Sequence, residues 1–310
     1  MTPPSFGCLI RFRRYHREVA DPMRVGLATF GGDEFAVLHD TCVRAGHTPV
    51  VYVSCRSMRP SGPVDTHAVA TTGRILEALP PGMDLLLPGT AGGLAVALTG
   101  YRLDLLVVYG FNWKLPRAVL DAPRFGVVNI HTSLLPRYRG PAPVLWAIRN
   151  GDVGTGVTIH RMDERFDAGP VLAQRGGIPL EEEVTPERLW PQVRPVIADL
   201  LAVALDRVAK GDPGVPQDDA GASSAGFLEP EFSTVDWSRT AREVHNQVRM
   251  FGFMGRDYAP AARVGEGWLK VYRTRLESAE GIRVDCADGP IWIVKSEPVE
   301  PPVIESPAPR

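Results

Sequence analysis

Two polar residues, Asn129 and His131, come directly off an apolar run and open the stretch NIHTSLLPRYRG (129–140). Residues 126–130, GVVNI, cluster β-branched side chains behind Gly126 and read as a short buried strand. Side chains alternate along a strand, so Asn129 and His131 share one face. A strand ending near His131 presents both at its carboxyl end, the edge where ligands bind in an open α/β sheet. A third candidate, Asp167, lies in DERFDAG, which follows the alternating segment TGVTIHRM (155–162). A carboxylate that reached His131 would fix the imidazole tautomer and raise its pKa. An amide, an imidazole and a carboxylate brought together could donate to a developing negative charge and move a proton. Taken singly, Asn129 is also a turn-capping residue, His131 a satisfied interior histidine and Asp167 an ordinary turn aspartate. Spacing alone does not choose between these readings.

The elements that would position these residues alternate between strand and helix from Met23 onward. RVGLAT (24–29), PVVYVS (49–54), MDLLLP and DLLVVYG read as strands; residues 34–47, THAVATTGRILEAL and GLAVALTGY read as helices. That alternation predicts an α/β fold, a doubly wound, mostly parallel sheet. No G-x-G-x-x-G follows the first strand, so no dinucleotide is expected. Residues 185–209 carry apolar side chains at helical spacing, with Thr185 and Pro186 suited to the start. Pro191 and Pro195 are expected to break or kink that helix. The Gly-, Pro-, Asp- and Ser-rich run KGDPGVPQDDAGASSAGF reads as a linker. Three strand candidates follow it: GWLKVYRTRL, GIRVDC and PIWIVKSEP. The expected organisation is an irregular extension (1–22), a catalytic domain (23–210), a linker (211–230), a small C-terminal domain (231–300) and a disordered tail (301–310). The Arg-rich leader lacks the apolar core of a secretory signal. It reads either as an extension ahead of a natural start at Met23 or as a frayed tail.

The chain has 310 residues, 44% hydrophobic and 23% charged, the composition of a soluble globular protein. Its formal net charge of −2 advertises no global basic field, and no DNA partner is expected. Cys8, Cys42, Cys55 and Cys286 are scattered without C-x-x-C pairing, which suggests a reducing cytoplasm and neither a disulfide frame nor a zinc site. No apolar run reaches transmembrane length, so no membrane partner is expected. FGGDEFAVL (30–38) spells the GGDEF string of diguanylate cyclases. Only about 30 residues precede it, without an upstream acidic metal-binding segment, and residues 34–38 instead open the first helix.

NIHTSLLPRYRGPAP followed by TGVTIHRMDERFDAGPVL resembles the signature of formyltransferases that use 10-formyltetrahydrofolate. The family includes methionyl-tRNA formyltransferases, amino-sugar formyltransferases and a formyltetrahydrofolate hydrolase domain. LLVVYGFNWKLPRAVL (105–120) is similar to the strand and loop that precede its site. The resemblance implies a folate-dependent N-formyltransferase with a Rossmann-like catalytic domain, 10-formyltetrahydrofolate as donor and no metal. It places the catalytic Asn, His and Asp on Asn129, His131 and Asp167. It implies that the loop Ser133, Leu134, Leu135, Pro136, Arg139 and Gly140, with Tyr109 and Gly110, lies against the folate, Arg139 steering an anionic group. Formyl transfer to an amine is acyl transfer: Asn129 would donate to the oxyanion, His131 would donate or assist proton movement, and Asp167 would orient His131.

Residues 233–251 resemble the helix that opens the C-terminal domain of methionyl-tRNA formyltransferases, and the analogy implies a small OB-like β domain. The acceptor is read from charge. RSMRPSGPVD lacks the lysine cluster of the corresponding loop in those enzymes, and residues 231–310 hold 11 Lys+Arg against 12 Asp+Glu. These features favour a small-molecule amine, an amino sugar or secondary metabolite, over initiator methionyl-tRNA, with water, and so hydrolysis, as a further alternative. A tRNA contact would draw on Arg56, Arg59, Arg239, Arg242 and Arg249.

Overall fold

The structure is a computed structural model that describes residues 21–302 apart from Phe30. The expectations for residues 1–20 and 303–310 lie outside the described residues. Seven strands form one sheet in the order β3-β2-β1-β4-β5-β6-β7. The first five are β1 (Arg24–Thr29), β2 (Thr48–Val53), β3 (Asp84–Leu86), β4 (Leu105–Tyr109) and β5 (Val127–His131), paired in parallel. They alternate with α1 (Gly32–Arg44), α2 (Thr66–Ala78), α3 (Ala91–Tyr101) and α4 (Arg117–Leu120). After α5 (Pro143–Arg149) come β6 (Gly154–Arg161) and β7 (Val171–Pro179), which add antiparallel at the far edge.

The central strands bury both faces, as a parallel sheet covered by helices must. On β4, Leu105 and Val107 join one core while Leu106 and Val108 join the other with Val127. Asn129 and His131 continue the alternation begun at Val127. The GGDEF string opens α1, where Asp33 lies in the first turn and pairs with Arg194 at 2.6 Å.

Helix α6 runs unbroken from Pro186 to Ala209 with Pro191 and Pro195 inside it, so the expected break does not occur. Both prolines lie on the exposed face, where water reaches the carbonyls they leave unpaired. Leu189, Val193, Ile197 and Leu201 fill the opposite face.

The second sheet has four antiparallel strands in the order β10-β11-β9-β8. They are β8 (Ala261–Val264), β9 (Gly267–Arg275), β10 (Ile282–Cys286) and β11 (Gly289–Val299). The three expected strands are present, and β8 is the additional one. Helix α7 (Ala241–Met254) joins the two halves. It opens with a capping box in which Thr240 and Glu243 satisfy each other's backbone N–H. Val244 and Val248 pack into the second sheet, while Met250 and Phe253 pack into the core of the first. Arg249 ties this junction. Its guanidinium donates to the carbonyl oxygens of Glu181 (2.6 Å) and Glu182 (2.8 Å) and to Asn246 Oδ1 (3.0 Å). It is therefore an internal tether whose guanidinium is already engaged, whereas Arg242, expected beside it in a tRNA contact, is exposed.

The Gly- and Asp-rich run between α6 and α7 is laced to the first sheet. Val215 exchanges two backbone hydrogen bonds with Val171. Arg139 N donates to Ser223 O, and Ala225 N donates to Arg139 O at 2.7 Å. Among the described residues, no helix is long and apolar enough to cross a membrane.

Candidate active site

Strand β5 ends at His131, so Asn129 and His131 project at the carboxyl edge of the sheet, on one face. The β5–β6 register sets His160 directly opposite Asn129 and Thr158 opposite His131. Residues opposite each other across a ladder share a face, so His160 joins the group. Asp167 enters from the turn after β6 in a left-handed conformation, φ +48°, which costs a non-glycine residue about 1 kcal/mol. Its Oδ1 accepts from Asn129 Nδ2 at 3.2 Å, and its Oδ2 accepts from the Gly140 N–H at 2.8 Å. His160 Nε2 lies 3.4 Å from Oδ1 and 3.3 Å from Asn129 Nδ2. Three of the expected residues and an unexpected histidine thus meet at one point.

The tautomer of His131 is set differently from expectation. Nε2 lies 2.7 Å from the carbonyl oxygen of Tyr138, which can only accept, so Nε2 carries the proton. The free lone pair is then on Nδ1, 3.7 Å from Asp167 Oδ2. Nor is the pKa of His131 raised. Burial lowers it, outweighing the opposing pull of Asp167 and of the Tyr138 carbonyl. Burial acts upward on the Asp167 carboxyl, but the hydrogen bond with His160, the charges of His131 and His160, and the Gly140 N–H together bring it down to about 2. Both shifts favour the same state near neutral pH: an ionised Asp167 beside a neutral His131 whose Nδ1 can accept a proton.

These shifts give the fold an acid dependence. A histidine whose folded pKa lies below its usual 6.5 opposes folding increasingly as pH falls below that value. Asp167, near 2 in the fold against 3.8 normally, stabilises by about 2 kcal/mol above pH 4 and loses that contribution as pH falls toward 2. Melting temperature measured against pH should therefore fall in two stages, and Asp167→Asn should diminish the lower one.

A cavity of about 470 Å³ opens on this cluster. Tyr109, Gly110, Gly140, Asn129, His131 and Asp167 line it as expected, and His160 lines it too. Phe111, Trp113 and Met162 extend its wall. Trp113 is held by its indole N–H donating to Ser57 O at 3.0 Å.

The rest of the expected folate loop does not line the cavity. Thr158 Oγ1 donates to Ser133 O at 2.7 Å, Gln174 Nε2 donates to Leu135 O at 2.9 Å, and Ser133 Oγ donates to Arg137 O at 2.7 Å. Leu134 packs over Gly156 and Gly176. Pro136 faces Gly221. Arg139 donates to Gln217 Oε1 (2.8 Å) and Asp219 Oδ1 (2.7 Å), so its charge is already paired. Ser133, Leu134, Leu135, Pro136 and Arg139 fold the loop that delivers the Tyr138 carbonyl and the Gly140 N–H. Gly140 itself has φ +124°, and a Cβ there would meet Ala225 O at 2.8 Å, so the close approach that aims its N–H at Asp167 requires glycine. His160 carried one sequence signal, its even spacing with Thr158 on a strand; only the register reveals its partner.

Sequence and structure comparisons bear on this cluster. The family model described as formyl transferase matches residues 25–196. The chain is 37% identical over 228 residues to a methionyl-tRNA formyltransferase of Synechococcus sp. (strain JA-3-3Ab), covering 72% of this chain and 70% of that protein. It is 32% identical over 285 residues to a methionyl-tRNA formyltransferase of Ruegeria pomeroyi, covering 86% of this chain and 89% of that protein. The aligned share of such relatives ranges from 59% to 89% of their own length. The fold is that of the N-formyltransferase from Helicobacter canadensis, solved with folinic acid and dTDP-3-aminofucose, with a TM-score of 0.60 and 15% identity. That match covers 89% of this chain and 100% of that one.

Proposed function

Because the chain belongs to the formyl transferase family, we propose that it moves the formyl group of 10-formyltetrahydrofolate onto the amino group of methionyl-tRNA. What supports this acceptor is the reach of the similarity. The Ruegeria relative, a methionyl-tRNA formyltransferase, aligns with 86% of this chain, a share that runs beyond α7 wherever it begins. The small amine favoured by charge counting has weaker support, because a net count is blind to position. Arg56 and Arg59 on the loop after β2 and Arg242 on α7 are exposed, and a tRNA needs local cations, not a net positive domain.

In this reading Asn129, His131 and Asp167 carry the chemistry. The acceptor nitrogen bonds to the formyl carbon, the bond from that carbon to the donor nitrogen breaks, and one proton leaves the acceptor while one reaches the donor nitrogen. Asn129 turns an N–H now shared between Asp167 and His160 toward the formyl oxygen, where negative charge develops. His131 Nδ1 accepts the acceptor's proton, and Asp167 stabilises the imidazolium. The apolar wall of Phe111, Trp113 and Met162 beside this point suits a flat aromatic donor.

The test is formyl transfer to charged initiator tRNA beside a panel of free amines that includes an amino-sugar nucleotide. Robust formylation of the tRNA is expected, falling steeply as salt rises. An inert tRNA together with a turned-over small amine would overturn the acceptor assignment.

A further inference from the structure

Asp167 is presented by a turn whose backbone is held by a residue distant in sequence. Gln217, on the run between α6 and α7, donates through Nε2 to the carbonyl oxygens of both Asp167 (2.9 Å) and Gly169 (2.8 Å). Its Oε1 accepts from Arg139 Nη2 (2.8 Å) and Nε (3.2 Å). Arg139 in turn pairs with Asp219 at 2.7 Å. The amide of Gln217 is thus fully engaged, with its N–H groups on the turn that carries Asp167 and its oxygen on the loop that supplies the Gly140 N–H.

We propose that Gln217 is a positioning residue for Asp167, its two N–H donors holding the left-handed turn so that the carboxylate stays between His131, Asn129 and the Gly140 N–H. The inference rests on the reading of Asp167 as part of the catalytic set. The physical case is one of strain and partnership. A non-glycine residue at φ +48° persists only where its surroundings over-determine it. Fixing the carbonyl of Asp167 and that of Gly169, two residues on, fixes the peptide planes on either side of the turn. The side chain of Asp167 already reaches Gly140 N, whose neighbour Arg139 is clamped by the same glutamine. Movement of Gln217 would free both sides of that contact. A loss of about 1 Å in the placement of a catalytic group can cost on the order of a hundredfold in rate.

Gln217→Glu separates positioning from tethering. The glutamate keeps the length of the side chain and its contact with Arg139, so the run stays attached. It removes both N–H donors and sets a carboxylate against two carbonyl oxygens. The expected result is a fall in kcat of about tenfold or more, with KM for donor and acceptor within about twofold of wild type. A Gln217→Glu enzyme with wild-type kcat overturns the proposal. Gln217→Ala, which removes the donors without adding charge, must also lose kcat at unchanged KM if its melting temperature stays near that of wild type. Failure of both variants to fold would assign Gln217 to the fold and equally overturn the proposal. Asp167→Asn, assayed alongside, separates the two readings. If it retains full turnover, the catalytic assignment of Asp167 fails. If it is slow while Gln217→Glu is not, only the positioning role fails.

Discussion

Replacing Asp167 with asparagine is expected to lower formyl-transfer turnover by about a hundredfold or more, and His131→Ala and Asn129→Ala by a similar factor. The expectation follows from the geometry. Asp167 faces His131 Nδ1 at 3.7 Å, and it accepts from both Asn129 and Gly140 N. Asparagine at 167 keeps the shape but cannot stabilise an imidazolium. It also allows an N–H to face the Gly140 N–H, a donor against a donor. His131→Ala removes the imidazole whose Nδ1 is left open by a fixed Nε2–H; the neighbouring His160, with Nδ1 donating to Arg161 O, turns its open Nε2 to Asn129 Nδ2 instead. The pH profile should carry the same signature. His131 must be neutral to accept a proton, and its pKa is below the usual value, so activity should hold on mild acidification and fall only at lower pH. Loss of the Asp167 charge lowers that pKa further and should move the acid limb to still lower pH. Near-wild-type turnover in any two of the three variants would remove the proposed site.

The second large effect is expected at Gly169, which has no side chain and whose carbonyl accepts from Gln217 Nε2 at 2.8 Å. A Cβ there would overlap the carbonyl oxygen of Arg161, a backbone atom that cannot swing aside. Arg161 N donates to Pro170 O at 2.9 Å, so the same two segments close the mouth of the turn that carries Asp167. Alanine must therefore push the turn open, at a cost of about 2–4 kcal/mol. A drop of several degrees in melting temperature and at least a tenfold loss of turnover should result. Gly92→Ala is the control: it lies exposed in α3 with no heavy atom near the added carbon, and alanine is the better helix former. Equal melting temperatures for Gly169→Ala and Gly92→Ala would contradict the close packing at the turn.

Much of this arrangement is legible before any coordinates. GVVNI marks β5 because β-branched residues run into a polar pair, and the structure ends that strand at His131. The alternation of strands and helices through residue 109 holds because each apolar run is bounded by turn residues. Strand β7 is silent for a local reason. Its middle reads QRGG, its inward positions are few, and Gly177 adopts φ +85°. Strand β8 is only four residues long and leans on β9. His160 is hidden because its role depends on cross-strand register, which no single segment encodes. The SLLP loop borders Asn129 and His131 in sequence, yet Leu134 turns onto β6 and β7, Pro136 faces Gly221 and Ser133 bonds within the loop, none of which its sequence position encodes. The role of Arg249 is hidden because an arginine on a helix face says nothing of the two backbone carbonyls, of Glu181 and Glu182, that receive it across the junction.

The lacing of residues 215–226 bears on modularity. Gly, Asp and Ser between two folded halves look like a natural recombination point, where one half could be exchanged onto another. Here a crossover near residue 210 would carry away the partners of Arg139, Tyr138 and Ala142 and leave the loop over the site without its second edge. The transferable unit is therefore longer than composition suggests and extends at least to Gly226, whose carbonyl receives the Trp146 indole N–H at 2.8 Å. Downstream of that residue Phe227 and Phe253 still reach the cavity, so a change in the connection is felt at the cavity from both sides.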